Sequence, residues 1–374
     1  MRFRTERDGL LEALVTASRA ASPRSAALGG SPSIQLSLRG NRLDVTGSDP
    51  DLVIEVRTEV AGETDGIALV PSRLVVDIVR AFDPGTVTVV GGEDEIRISS
   101  GRANFAVRVP VGAEITRLAT PEGEGITLPA APFAEGLRQV TRAALADDSR
   151  APQLTGVLMV ATDTGLRLVA TDSYRLAFRD LAGMSALSPG ADVLVPARAL
   201  AEIQRLVGGA TEDGSRTLTF RHSALDAVFE LDAVRLTTRL LKGPFPDYER
   251  LLPPSYPNVL TTSREALAAA LRRVRLMVRD AKDAATPVRI VFGEGGAELT
   301  VLTAESGRAA ERIDGEFTGE ELVVAFNPTY LLDGVEAIAA ETLVLEVIDP
   351  SKPATVRGVG EDDYRYLLMP VRVS

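Results

Sequence analysis

Residues able to do acid–base or nucleophilic chemistry are few in this chain. Among 374 residues there is no cysteine and a single histidine, His222, so disulfides, thiolate nucleophiles and His- or Cys-based metal clusters are excluded. His222 lies in "FRHSALDAVF", a strand-like stretch with no evident nucleophile partner, and reads as a surface-strand histidine. The paired acids Asp147-Asp148 and Asp362-Asp363 have turn residues as neighbours and read as solvated turns, not as metal ligands. "GGEDEIRISSG" lacks the G-x-x-x-x-G-K-[ST] phosphate loop, and "VFGEGGAEL" reads as a hairpin turn. No acid, base and nucleophile assemble, so neither catalysis nor a cofactor is expected.

Phosphate contact is the chemistry that the spacing does support. Arg272, Arg275 and Arg279 recur at i, i+3 and i+7 beside an apolar stripe of Leu267, Leu271, Val274 and Val278, which predicts one helix with a basic row on one side and core on the other. Arg73 and Arg80, Arg138 and Arg142, and Arg198 and Arg205 repeat the one-turn or two-turn spacing on other helices, and Lys282 follows the last row. A formal net charge of -11 argues against nucleic acid only if it is evenly spread. Acids crowd into turns such as "GGEDE", "TPEGE" and "GEDD", and this segregation allows sequence-independent phosphate contact. With aromatics at 5% and no tryptophan, stacking on single strands is unsupported. No helix-turn-helix or finger motif is present either, so the expected contact is the backbone of a duplex.

The elements that position these residues repeat three times. "LVPSRLVVDIVRAF" from Leu69 is echoed by "LVPARALAEIQRLV" from Leu194 and by "AFNPTYLLDGVEAI" from Ala325. In the same phase run "LDVTGSDPDLVIEV", "LRLVATDSYRLAFRDL" and "LTVLTAESGRAAERI", each reading as two antiparallel strands around a polar turn. An amphipathic helix opens each repeat: "RDGLLEALVTASRAA", "APFAEGLRQVTRAAL" and "SREALAAALRRVRLMV", the last with Ser263 as N-cap. Each repeat therefore reads helix, strands, helix, strands. The expected class is α+β, with repeats at 1–122, 123–252 and 253–374 divided near the Pro- and Gly-rich "RLATPEGEG" and "LLPPSYPN". The 45% apolar and 25% charged residues are those of a globular chain. "MRFRTERDGLLEALV" does not read as a signal peptide and no window is apolar enough to span a membrane, so a cytoplasmic protein is expected.

"ATDSYRLA" (170–177), "FPDYERLLP" (245–253), "FNPTYLLDGVEAI" (326–338) and the ending "YLLMPVRV" together resemble the bacterial sliding clamp, the beta subunit of DNA polymerase III. The resemblance implies a head-to-tail homodimeric ring of six similar subdomains, with helices toward duplex DNA and no catalysis of its own. It also implies a hydrophobic groove between the second and third repeats. That groove would take short linear peptides from the polymerase III alpha subunit and other polymerases, the clamp loader and repair proteins. Carried over by motif, it would use Leu154, Thr171, Ser173, Tyr174, Arg175, Leu176, Pro246, Arg250, Leu251, Asn327, Tyr330, Pro353, Leu367, Met369, Pro370, Val371 and Arg372. Arg24, Arg73 and Arg80 are the residues the resemblance points to for DNA, beside the helical rows inferred from spacing.

Departures from the family pattern accompany the likeness. "SPRSAALGGSPSIQL" and "RVPVGAEITRLATP" lack motifs usual in the first repeat. At the expected dimer contact, "AESGRAAERI" offers only Glu305 and Glu311 as acids, and the facing "SGRANFAV" offers Arg102 and Phe105, with Asn104 where a basic residue is frequent. Two alternatives stay open on the sequence. One is a divergent duplicate clamp conferring self-resistance to a peptide antibiotic that binds the groove, in a Lys-poor, Arg- and Ala-rich chain compatible with an actinobacterial genome. The other is a peptide-binding scaffold that does not touch DNA.

Overall fold

The computed structural model describes residues 1–21, 32–92, 94–109, 115–146, 151–208, 215–278, 286–303 and 307–372. Arg24, Asp147, Asp148, Arg279, Lys282 and Glu305 lie outside the described residues. Among those described are six α-helices: α1 (Arg7–Ser18), α2 (Ser72–Ala81), α3 (Ala130–Val140), α4 (Ala197–Gly208), α5 (Arg264–Val274) and α6 (Pro328–Ala337). They occupy the two helical positions expected in each repeat. Contacts divide the chain into two compact bodies, one of Met1–Pro129 with Ser215–Leu240 and one of Ala130–Gly214 with Leu241–Ser374. The middle repeat thus gives residues 123–129 and 215–240 to the first body and 130–214 and 241–252 to the second.

The first body holds two antiparallel sheets. One runs in the order Ala61–Thr64, Arg2–Glu6, Thr86–Gly91, Glu95–Ser100 and Ala103–Arg108. The other has eight strands, in which Val234–Arg239 pairs with Leu52–Glu59 in the register Leu236 to Ile54 and Arg235 to Glu55. Alternation builds these strands: Ser33–Arg39 buries Ile34, Leu36 and Leu38 and turns its other residues outward. α1 buries Leu10, Ala13, Leu14 and Ala17 at helical spacing and lies so close to the sheet that a Cβ on Gly47 would stand 1.8 Å from the Ala17 carbonyl oxygen. Only glycine permits that approach.

The second body is built on a twelve-stranded sheet. Within it Arg175–Ala182 pairs antiparallel with Tyr364–Leu368, placing Leu176 opposite Leu367 and Ala177 opposite Tyr366. α3 packs with α4, and α5 with α6. α6 lies across Tyr366, where a Cβ on Gly334 would come within 2.4 Å of the ring. Arginines close helix C-termini in both bodies: Arg7 donates to the carbonyls of Val79 and Arg80, and Arg138 to those of Glu336 and Ala337.

The Ser263 cap forms as expected, its Oγ accepting from Ala266 N at 3.3 Å. The helix it opens is shorter than the sequence suggests. α5 ends at Val274 and a 3-10 turn follows over Arg275–Met277, so Val278 leaves the buried stripe of Leu267, Leu271 and Val274. Tightening the last turn satisfies terminal carbonyls but rotates the residues beyond it off the helical face.

Candidate functional site

The second body carries an apolar cluster of Leu158, Val169, Leu176, Phe178, Leu194, Tyr248 and Leu367, with Val160, Leu241, Phe245 and Leu252 half-covered around it. Leu176 and Leu367 belong to the motif-derived set, and Leu154 is buried nearby in chain, in the 3-10 turn Pro152–Thr155. Sequence reasoning missed Leu158, Leu194, Phe178, Leu241 and Phe245: "GVLMV" and "RLAF" are continuous apolar runs buried on both faces, which mark a strand but not which side lines the cluster. Large apolar groups remain uncovered at the rim: Tyr174 is 64% exposed, Leu251 47% and Met369 41%. Pro246 and Arg250 are also exposed, the latter paired with Asp247 at 2.8 Å.

A tight turn holds one wall. Asp172 Oδ1 accepts from the backbone N–H of Tyr174 at 2.9 Å and of Arg175 at 3.0 Å. Thr171 Oγ1 donates to the Arg175 carbonyl and accepts from Ser173 N. These bonds stabilise Ser173 at φ 76°, a left-handed conformation costly for a residue with a Cβ. The last described residues form the adjoining wall. Met369 N donates to the Tyr174 carbonyl at 2.8 Å and Val371 N to the Ala325 carbonyl at 2.7 Å. Pro370, lacking an N–H, stands between two pinned residues where the chain leaves the ladder, and Arg372 is exposed beyond it. Pro353 precedes the strand Ala354–Gly358, whose Ala354 lies opposite Leu368.

α6 adds a third side. Asn327 caps it, its Oδ1 accepting from Thr329 N at 2.9 Å and Tyr330 N at 3.2 Å. The Arg175 guanidinium lies 4.1 Å over the Tyr330 ring and bonds Asp172 at 2.9 Å and Asp333 at 2.5 Å. Burial works against its charge, but Tyr366, Asp333 and Asp172 outweigh that and hold its pKa above the ordinary arginine value. Burial likewise raises the pKa of Tyr366, whose hydroxyl donates to the Tyr330 carbonyl. The site is therefore an apolar cluster with exposed apolar residues beside it and a buried charged set at the Asp172 turn.

The helical arginines are not segregated from acids, contrary to the expectation from the turn sequences. Arg80 pairs with Asp77 at 2.9 Å, Arg138 with Glu135 at 2.6 Å, and Arg205 with Glu202 at 2.5 Å, each an i, i+3 partner. Arg142 reaches Glu336 at 3.1 Å, and Arg272 reaches Glu336 at 3.0 Å and Glu265 at 3.3 Å. Residues one turn apart are neighbours on a helix, so opposite charges there pair before any ligand arrives. Arg138, with its donors on Glu135 and on the α6 carbonyls, serves the helix junction. Arg73, Arg198 and Arg275 are exposed. Arg275 lines a surface cavity of about 330 Å³ with Arg272, Leu276 and Val278.

Two sheet edges carry exposed apolar residues. Ala103–Arg108 ends the five-stranded sheet, with Phe105 40% exposed and Arg102 in the preceding turn. In the second body residues 307–314 of the strand Gly307–Thr318 pair only with Gly296–Thr303 among the described residues. Leu302, 71% exposed, and Leu276, 55% exposed, belong to the same body. Glu311 on that edge is bonded by Arg273 of α5, which holds its carboxyl below the ordinary range.

Among the described residues no group of His, Cys, Asp and Glu is placed to hold a metal ion, and no helix is long and apolar enough to cross a membrane. Family models for the DNA polymerase III beta subunit match the chain throughout: the N-terminal domain at 1–118, the central domain at 127–247 and the C-terminal domain at 249–372. The beta sliding clamp of Streptomyces coelicolor is 31% identical over the full length of both chains, and that of Vibrio cholerae 28% over the full length of both. Among solved structures, the beta subunit of Thermotoga maritima superposes with a TM-score of 0.87 at 22% identity. A Pseudomonas aeruginosa clamp bound to griselimycin superposes with a TM-score of 0.88 at 24% identity. Each covers all of both chains and shows a shared fold.

Proposed function

Since the chain belongs to the DNA polymerase III beta subunit family, the non-catalytic sliding clamps of DNA replication, we propose that two copies close head to tail around duplex DNA and dock partners in the groove of the second body. Strand junctions support closure. At two equivalent places the strand after a polar turn pairs with the last strand of the following repeat: Ile54 faces Leu236, and Ala177 faces Tyr366. Asp49, Asp172 and Glu305 correspond in the repeated sequence, so the third strand is Gly307–Thr318 and its Ala310 corresponds to Ile54 and Ala177. Matching the two-residue turns 232–233 and 101–102 makes Phe105 the counterpart of Leu236. The third pairing then joins two protomers, with Phe105 opposite Ala310, a large residue against a small one as at Tyr366 and Ala177. Such edge pairing completes the backbone ladder and buries Phe105.

Polymerase III alpha, other polymerases, the clamp loader and repair proteins are the proposed groove partners, each through a short linear peptide with apolar anchors. Each fully buried anchor contributes about 1.5–3 kcal/mol, and Met369 adapts to several shapes. Duplex DNA is the proposed partner of the exposed arginines Arg73, Arg80, Arg142, Arg198, Arg205, Arg272 and Arg275, and the proposed compartment is the cytoplasm. The test is retention on nicked circular DNA after loading. The ring reading expects the protein to stay on the circle and to leave within seconds once a nuclease linearises it; equal loss from both templates would overturn it. Griselimycin, which the Pseudomonas aeruginosa clamp binds, is the proposed probe for the self-resistance alternative, because a housekeeping groove takes it and a resistant duplicate refuses it.

A further inference from the structure

A continuous series of charged groups runs from the groove wall to α5 through α6. Asp172 bonds Arg175 at 2.9 Å, and Arg175 bonds Asp333 at 2.5 Å. Asp333 lies 3.6 Å from Arg142, which bonds Glu336 at 3.1 Å. Glu336 bonds Arg272 at 3.0 Å, and Arg272 meets Glu265 at 3.3 Å. Every member belongs to the second body. α6 is ten residues long, about 15 Å. Its first turn presents Tyr330 beneath the Arg175 guanidinium, and its last turn presents Glu336 to Arg142 and Arg272. Only the groove end is well buried: Arg175 retains 11% of its side-chain exposure, whereas Arg142 and Arg272 keep nearly half. The exposed end is thus the one a polyanion can reach.

Resting on the reading above, we propose that duplex DNA at this arginine face tightens the peptide groove through Asp333 and Glu336. Asp333 is shared between Arg142 and Arg175. A phosphate that takes Arg142 and Arg272 leaves both carboxylates with fewer cations. Asp333 then bonds Arg175 alone, which fixes the Asp172 turn and the Tyr330 ring more firmly as groove walls. A wall ordered before the peptide arrives costs less to order on binding, and the coupling is reciprocal, so a bound peptide tightens DNA contact by the same factor. Exposed ion pairs are individually weak, which bounds the effect at about two- to fivefold.

The experiment titrates a fluorescein-labelled peptide from the polymerase III alpha subunit into the full-length protein at low salt, with and without a saturating 20-base-pair duplex. The Kd is expected to fall by about two- to fivefold with the duplex. In Arg142→Gln, checked for an unchanged Tm, Asp333 already bonds Arg175 alone, so the Kd without duplex is expected to sit at the wild-type value with duplex and the shift to disappear. A wild-type Kd that is unchanged or raised by duplex overturns the coupling and leaves the groove assignment standing. A shift that survives in Arg142→Gln overturns the route through Asp333 of α6. No peptide binding in either condition overturns the groove reading and this inference with it.

Discussion

Arg175 carries a full charge where little of its side chain meets water, and the offset comes from two carboxylates and an aromatic face. Removing one partner of such a set leaves the others desolvated and unpaired. Arg175→Met, which keeps the apolar stem, is expected to lower stability by about 3 kcal/mol in urea denaturation. Arg175→Lys should restore only part of it, because an ammonium cannot serve both carboxylates as a planar fork does. A loss below about 1 kcal/mol would make it an ordinary surface pair. The motif "ATDSYRLA" marked Arg175 as a groove residue, but its partner Asp333 lies 158 positions away. No local pattern announces such a contact. The same holds for Leu158, Leu194 and Phe178, each legible as an apolar strand residue while their convergence into one cluster depends on sheet order.

At the scale of elements, helices and hairpins were largely readable, because periodicity, prolines and caps are local signals. α6 shows why: proline at its first position and asparagine ahead of it settle where it starts. Asn327→Ala is expected to cost about 1 kcal/mol and to weaken peptide binding, since the cap holds the backbone of Tyr330. Asn327→Asp should retain both properties, and calorimetry with the labelled peptide distinguishes the two variants; equal affinity in both would detach the cap from the groove. The end of α5 was not readable. Nothing in "ALRRVRLMV" forbids another turn, yet the helix passes into a 3-10 turn at Arg275. Charge placement was misread for a related reason, since counting acids in turns overlooks those one helical turn from an arginine.

At the scale of the whole molecule, the threefold repeat that the sequence displays predicts its own assembly. Two of the three strand junctions are filled within the chain, and the third offers Phe105 on one edge and Ala310 on another. Phe105→Asp is expected to convert a species of twice the chain mass into monomers in sedimentation velocity, with the circular-DNA retention lost alongside. A dimer of unchanged affinity would move the interface elsewhere. What closes around DNA also has to travel along it, and the pre-paired helical arginines bear on that motion. In the proposed ring, Arg80, Arg205 or Arg272 meeting a phosphate would exchange one exposed ion pair for another, a trade worth about 1 kcal/mol or less. Contacts so nearly balanced would give the duplex a shallow track, on which moving one base pair costs little more than thermal energy.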